Sequence, residues 1–471
     1  MTTSTTTTSK TKKEKFDIKK FLLKALKKTL IFLGVFAFWI IIWQLIYEKV
    51  GIDLVIPSPH NTWLKIEELV KTKEFWQTTW LSVSRILQGY LVGVVLGVVL
   101  AVVTYSSKFL YVLLKPIVSI ARATPVASLT LIIMMWVTNQ QVPLFIVGLM
   151  VFPIIWGNTY EGIRNTDKKL LEMSRSFSVG YAKRFLHIYI PSVYPYFIAG
   201  ASTSLGLAWK SGIAAEILGV TQDSIGQQIY DAKVYLDSES KFAWTIIVIL
   251  LSIVVEKIVV MTLSKTSLHI SVKAKSVKEQ EKSENNGFVR AQGISKSYKK
   301  TKVLSSVDLS VCSGEVLSLR GVSGAGKTTL LMILSGLLKK DKGEVVTSSG
   351  VNFLFQEDRL LPWLTVGENI LFVNNQANVE ELLSLVSLEG TQNMYPDELS
   401  GGMKRRLAIA RTLAGKADVV FLDEPFTGLD EELRVQVAEK VFDYLKDSAV
   451  ILVTHDSEES KRFATKELYI E

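Results

Sequence analysis

The run Gly321-Val322-Ser323-Gly324-Ala325-Gly326-Lys327-Thr328 matches the pattern G-x-x-x-x-G-K-[ST] and sits between a short strand-like run and an apolar helix-like one. Glycines let successive backbone N–H groups close around phosphate oxygens, and a helix starting there turns its positive end toward them. Lys327 is placed to reach the β- and γ-phosphates of a nucleotide, the Thr328 hydroxyl suits a magnesium ion, and Thr329 belongs to the same cradle. The chemistry is the binding of a nucleoside triphosphate.

Further along, the apolar run Val419-Val420-Phe421-Leu422 ends in Asp423-Glu424. Two carboxylates at the carboxyl end of a strand lie where α/β sheets hold ligands. Behind a phosphate loop, Asp423 is expected to hold Mg²⁺ through water and Glu424 to polarise the attacking water. Between the two motifs lies Leu399-Ser400-Gly401-Gly402-Met403, followed by a helical pattern, so Ser400, Gly401 and Gly402 form a second phosphate-binding nest at a helix start.

With these three motifs in order, residues 288 to 471 resemble the ABC ATPase family. The resemblance implies that the Ser400-Gly401-Gly402 segment completes the ATP site of a facing subunit. It also implies a base-stacking Tyr298, a Gln356 that reaches the metal and the water, a D-loop at Gly428-Leu429-Asp430, and a His455 that senses the γ-phosphate. Met403 stands where the family commonly has Gln. Gln356-Glu357-Asp358-Arg359-Leu360-Leu361-Pro362-Trp363 looks like the nitrate, sulfonate and taurine branch of import ATPases, with trimmed β and helical subdomains expected from the short stretches on either side of Gln356.

The elements that must carry these residues are legible. Val316 to Leu319, Val419 to Leu422 and Val450 to Val453 read as buried strands alternating with helices, which predicts a mainly parallel sheet of P-loop NTPase type. Gln356 and His455 follow strands over Val351–Phe355 and Ala449–Thr454. The lone Cys312 reads as a small core residue; with no second cysteine it makes no intrachain disulfide.

The first half is a different kind of chain. At 471 residues, 48% hydrophobic, the sequence is too long for one ordinary domain and too apolar for a plain soluble enzyme. The net charge of +9 gathers in nine lysines between Lys10 and Lys28, ahead of an apolar run, so it reads as a cytoplasmic anchor against anionic lipid and not as a nucleic-acid surface. Crossing a bilayer takes about 20 apolar residues. Uncharged runs over 29–47, 86–107, 123–160 (two passes, broken at 138–143) and 185–209, with a last run over 242–263, predict an α-helical bundle of six spans. The domains expected are a basic tail 1–28, a permease domain 29–263, a linker 264–287 and an ATP-binding domain 288–471.

Arg164, Lys168, Lys169, Arg175, Lys183 and Arg184 crowd one inter-span loop, which places that loop, both termini and the ATPase domain in the cytoplasm of a cell-membrane protein. Glu172-Met173-Ser174 with Ile188-Tyr189-Ile190-Pro191 resembles the EAA loop of bacterial importer permeases. Ser178 stands where that family has Gly, and Gly180 is expected to supply the turn. A short amphipathic helix over Lys168–Phe177 is expected to dock near Gln356. At membrane depth, Arg122 and Lys210 are candidates to attract an anionic solute or line a gate, and Glu216 is a third ionisable group there.

One phosphate loop and one signature per chain imply a homodimer with two ATP sites, a heterodimer being the lesser option. The resemblance further implies ATP-driven import of a small solute, sulfonate-, taurine- or nitrate-like, delivered by a separate extracytoplasmic binding protein. The rival readings are an ABC exporter half and a membrane-tethered regulatory ATPase.

Overall fold

The computed structural model describes residues 18–265, 271–273, 287–298, 301–322, 324–348, 351–415 and 417–470. The tail up to residue 17, most of the expected 264–287 linker, and Ser323 of the phosphate loop lie outside the described residues.

The first half is helical: α1 (Ile18–Val50), α2 (Pro59–Val70), α3 (Lys73–Ser106), α4 (Lys108–Ala123), α5 (Val126–Ile133), α6 (Val142–Arg164), α7 (Lys168–Ser176) and α8 (Tyr181–Arg184). A π-helical turn, Phe185–Tyr189, joins α8 to α9 (Ile190–Gly219); α10 (Ile225–Val234) and α11 (Ser238–Lys265) follow. The second half contains β1 (Phe288–Tyr298), β2 (Thr301–Cys312), β3 (Val316–Arg320), α12 (Lys327–Leu334), β4 (Lys342–Thr347), β5 (Val351–Leu354), α13 (Val366–Val373) and α14 (Val379–Leu385). It closes with α15 (Gly401–Ala414), β6 (Val419–Asp423), α16 (Glu431–Tyr444), β7 (Ala449–Val453), α17 (Ser457–Phe463) and β8 (Lys466–Tyr469).

Contacts divide the chain into two compact units. Among the described residues, the first holds 18–100, 109–156 and 201–261, and the second holds 101–108, 157–200 and those from 262 to 470. The segment 157–200 therefore packs with the ATP-binding half.

In the first unit, α3 and α6 approach closely along Gly89, Gly93 and Gly97, one helical turn apart. A Cβ at Gly93 would stand 2.7 Å from the Val151 Cβ, so only hydrogen fits. Among the described residues, four helices are long and apolar enough to cross a membrane: the 33–50 part of α1, α3, α6 and α11 up to residue 263. The run 123–160 does not supply two straight passes as expected. Its front half is the eight-residue α5, bent by 105° from α4 at Thr124-Pro125, where proline removes an N–H and pushes its neighbour out of the helical region. The bent pair makes a fifth crossing only if α4 and α5 count as one span. The 30-residue α9 is long enough, but its hydroxyl residues, glycines, Lys210 and Glu216 dilute its apolar character. The six expected spans are thus not all confirmed among the described residues.

The second unit carries a five-stranded parallel sheet, order β5-β6-β7-β3-β8, and a three-stranded antiparallel sheet, order β2-β1-β4. Strands β6 and β7 are buried throughout, as runs of Val, Phe, Ile and Leu must be when helices cover both faces. Cys312 is exposed, against expectation. Val311 takes the inward position on β2, and the pleat turns the next side chain out.

Candidate functional site

Strand β3 brings the chain to the carboxyl edge of the sheet, and the loop 321–326 turns it into α12. Gly326 has φ 91°, and a Cβ there would stand 2.7 Å from Val303 Cγ1, so the turn requires glycine. A Cβ on Gly321 would collide with the Ile470 carbonyl oxygen. Gly324 also has positive φ, and the Ala325 N–H donates to the Val322 carbonyl at 3.1 Å. Lys327 is buried, with its ammonium donating to the carbonyls of Gly321 (2.8 Å) and Val322 (3.0 Å), so the charge stays on the loop. Thr329, one residue beyond Thr328, is half-buried.

The two carboxylates arrive on the neighbouring part of the edge. Asp423 ends β6, 2% exposed, and its Oδ2 accepts from the Thr328 hydroxyl at 2.9 Å. Burial pushes the Asp423 carboxyl up from its ordinary range, while the Thr328 hydrogen bond and the charges of Arg405 and Lys327 pull it back. Glu424 has φ 49°, a costly conformation for a residue with a Cβ, held by its N–H donating to the Val453 carbonyl at 2.8 Å. That twist aims its side chain at two neighbours. His455 Nε2 lies 3.1 Å from Glu424 Oε1, and Gln356 Nε2 donates to Oε2 at 3.4 Å.

Lys327, Thr328, Asp423, Glu424, Gln356 and His455 are therefore brought together, as the motifs implied. Both strands before Gln356 and His455 end one residue earlier than expected, at Leu354 and Val453. The donor set fits a triphosphate: loop amides, a helix start and one lysine. The hydroxyl of Thr328 and the carboxylate of Asp423 are hard oxygen donors of the kind Mg²⁺ takes. Among the described residues there is no cluster of three or more His, Cys, Asp or Glu that could hold a metal ion.

Other expected residues stand apart. Ser400 caps α15, its Oγ accepting from the Met403 N–H at 3.3 Å, with Gly401 and Gly402 in the first turn. Among the described residues no hydrogen bond joins these three to loop 321–326. A Cβ at Gly402 would stand 3.1 Å from the Gly428 carbonyl, so the signature abuts the turn leading to Asp430, the N-cap position of α16. Tyr298 ends β1, is 47% exposed, and has the Lys296 ammonium 5.7 Å from its ring centroid.

The basic loop docks next to Gln356, within the same unit. Helix α7 is capped by Asp167, whose side chain accepts from the Lys169 N–H, and stops one residue short of the expected Phe177. Arg359 Nη1 donates to Glu172 at 3.0 Å, and Lys169 Nζ to Glu357 at 2.6 Å, which holds the Glu357 carboxyl below its usual range. The Trp363 indole N–H donates to the His187 carbonyl at 2.8 Å, and Lys183 Nζ to that of Leu371 at 2.9 Å. Leu170, Met173 and Ile188 share one buried cluster with Phe355, Leu361 and Phe372. The turn after α7 corrects one expectation. Ser178 itself takes the left-handed conformation, φ 52°, whereas Gly180 has φ −60° and begins α8. The helix end needs the reversal directly after Phe177, where the Val179 N–H returns to the Ser174 carbonyl, and Gly180 comes too late to provide it.

Of the ionisable groups considered for a solute path, Arg122 donates to the Pro153 carbonyl at 2.5 Å, and Lys210 is exposed. Glu216 is fully buried, accepting from Ser82 Oγ at 2.9 Å and the Gly226 N–H at 3.1 Å, so it clamps the start of α10 to α3.

Sequence reasoning passed over Arg405 and Arg411. In the run Lys404-Arg405-Arg406 the charges look solvated, yet α15 is buried from Leu407 to Ala414, and a charged residue inside such a helix is itself a signal. Burial pushes the Arg411 guanidinium down to about 9.

Comparison with known proteins bears on both halves. The profile of the family described as "ABC transporter" matches residues 304–427, and that of "Binding-protein-dependent transport system inner membrane component" matches residues 93–265. The aliphatic sulfonates import ATP-binding protein SsuB of Bacillus subtilis (strain 168) is 42% identical over 188 residues, 36% of this chain and 74% of the relative. SsuB 1 of Pseudomonas aeruginosa (strain UCBPP-PA14) is 40% identical over 203 residues, 39% of this chain and 82% of the relative. A solved dimeric ATP-binding cassette, in a post-hydrolysis state with ADP and Pi, is 28% identical, covers 39% of this chain and 94% of its own, and has a TM-score of 0.36.

Proposed function

Since the chain belongs to the ABC transporter family and joins a permease and an ATPase in one polypeptide, we propose that it imports a small sulfonate-like anion into the cell, driven by ATP hydrolysis. The contact of Arg359 with Glu172 carries this reading, because it ties the residue three beyond Gln356 to the EAA-like loop. Sulfonate is favoured over taurine or nitrate by the names of the relatives, which are aliphatic sulfonate import proteins.

In this reading the loop amides of 321–326, together with Lys327, grip the β- and γ-phosphates, and Thr329 extends the first turn of α12 beside them. Tyr298, an exposed aromatic residue, stacks on the base. A magnesium ion held by Thr328, Gln356 and Asp423 would neutralise charge on the phosphates when bound. Glu424 orients the attacking water, and His455 and Gln356 hold its carboxylate from either side.

Ser400, Gly401, Gly402 and Asp430 close over the nucleotide of a second copy, because one phosphate loop and one signature per chain make a composite site only in pairs. The working form is a homodimer in the cell membrane, with the basic 161–191 loop, the ATPase half and both termini cytoplasmic, served by an extracytoplasmic binding protein. An exporter half is disfavoured by the family profile matched over 93–265 and by the inter-span loop, which holds a nine-residue α7 in place of long projecting helices.

Two measurements test this. Full-length protein in liposomes, with ATP inside and binding protein outside, should accumulate an unsubstituted alkanesulfonate; accumulation of nitrate alone, or of the aminoalkanesulfonate taurine alone, would redirect the substrate, and accumulation of none of the three would end the import reading. Chains carrying Lys327→Ala or Ser400→Arg should each be inactive alone, yet recover about a quarter of the ATPase when mixed, because half the dimers then regain one intact composite site. No recovery would exclude paired sites.

A further inference from the structure

We infer that Arg405 is a positioning residue for hydrolysis: it fixes the backbone that carries Gln356 against the backbone that carries Glu424. This rests on the ATPase reading of that site and adds to it a residue that touches neither nucleotide nor water.

The geometry is specific. Arg405 lies in the first half of α15, 4% exposed, and spends its donors on main-chain carbonyls of two different segments. Nη1 donates to Phe355 O (2.6 Å) and Gln356 O (3.2 Å), and Nη2 to Asp423 O (2.6 Å) and Glu424 O (2.7 Å). Nε donates to Pro425 O at 2.9 Å, and the Asp358 carboxylate, 3.3 Å from Nη1, balances the charge. A planar guanidinium with five fixed donors is the side chain able to bind carbonyls on two sides at once.

The two gripped segments need such a fastener. Strands β5 and β6 pair in parallel only as far as Leu354 and Leu422, so the sheet ladder does not reach Phe355–Gln356 or Glu424–Pro425. Beyond it, among the described residues, the side-chain hydrogen bond between the segments is the long Gln356–Glu424 one at 3.4 Å. Glu424 also holds a strained φ of 49°, which persists only where its surroundings over-determine it. Arg405 supplies two of those constraints, on the carbonyls at each side of the strained residue. Its neighbour Arg411, 2% exposed, extends the grip by donating to the carbonyls of Asp358 (2.7 Å) and Arg359 (2.8 Å), the latter bearing the side chain that meets Glu172. The helix that opens with the Ser400-Gly401-Gly402 signature is thus bolted to the two strand ends that bear the hydrolytic side chains.

The test uses full-length protein and reads turnover and nucleotide affinity separately. Arg405→Lys keeps the charge but loses the fork, and Arg405→Gln loses both. We expect kcat for ATP to fall on the order of 30- to 100-fold in either variant, the size a misplacement of about 1 Å produces, with the ATP KM and the Kd of a fluorescent nucleotide within about threefold of the parent. Combined with Glu424→Gln, either variant should lower kcat little further, because Arg405 acts through the placement of Glu424.

Unchanged kcat in Arg405→Lys overturns the inference, as does a full multiplicative loss in the double variant. Loss of nucleotide binding in both variants also overturns it, since the arginine would then be holding the domain together. If the unsubstituted chain does not hydrolyse ATP, it is the underlying reading that fails.

Discussion

His455 Nε2 lies 3.1 Å from Glu424 Oε1 across the ends of two adjacent parallel strands. The sheet order, with β6 beside β7, makes this contact: each residue directly follows or nearly follows its buried strand, so parallel pairing carries both to the same edge. The imidazole therefore fixes one carboxylate oxygen while Gln356 and the Thr427 hydroxyl, both at 3.4 Å, face the other.

Glu424→Gln follows from that arrangement. The amide keeps the shape and can still sit between His455 and Gln356, but it no longer accepts a proton from water at the expected site. ATP binding should persist while hydrolysis drops by about 10²- to 10⁴-fold. Near-normal turnover with intact binding would remove Glu424 from its role.

The pair Arg359 and Glu172 makes a second prediction. With the Arg359 side chain 11% exposed and bonded at 3.0 Å, Glu172→Arg places like charges in contact within the loop-docking surface. Solute uptake per ATP hydrolysed should fall roughly 3- to 10-fold, and Glu172→Arg with Arg359→Glu should regain most of it. Equal uptake per ATP in the parent, Glu172→Arg and the double variant would show that this contact does not transmit.

Ser178 offers a stabilising change. At φ 52° a serine tolerates the left-handed region at a cost that glycine avoids, although glycine loses more chain entropy on folding. Ser178→Gly should raise stability by roughly 0.5 kcal/mol, while Ser178→Val, β-branched at positive φ, should lower it by about 1 kcal/mol or more. Thermal unfolding of the detergent-solubilised protein followed by tryptophan fluorescence reads both, and a shift of the same sign in the two variants would contradict the assigned conformation.

How much of this was legible beforehand differs by residue. The phosphate loop, Asp423-Glu424, the signature and His455 could be read off the chain because each chemical role demands particular residue types within a few positions of a strand end or helix start. A mainly parallel sheet followed from short runs too apolar to face water on either side, and its five strands and their order came from the structure. The helix expected over Lys168–Phe177 from amphipathic spacing is present as Lys168–Ser176.

What had to wait for the tertiary structure is everything that depends on partners distant in sequence. Arg405 looks like one more surface charge until the carbonyls of residues 355–356 and 423–425 are seen to converge on it. Cys312 and Ser178 were misjudged because pleat direction and the handedness of a helix end are settled by neighbours and not by side-chain type. The bend at Thr124-Pro125 likewise turned an apolar run of sufficient length into something other than two straight crossings. Local composition determined which chemistry the chain can perform; the packing of remote segments alone decided which side chains hold that chemistry in place, because their interactions are made with backbone atoms that carry no sequence signature.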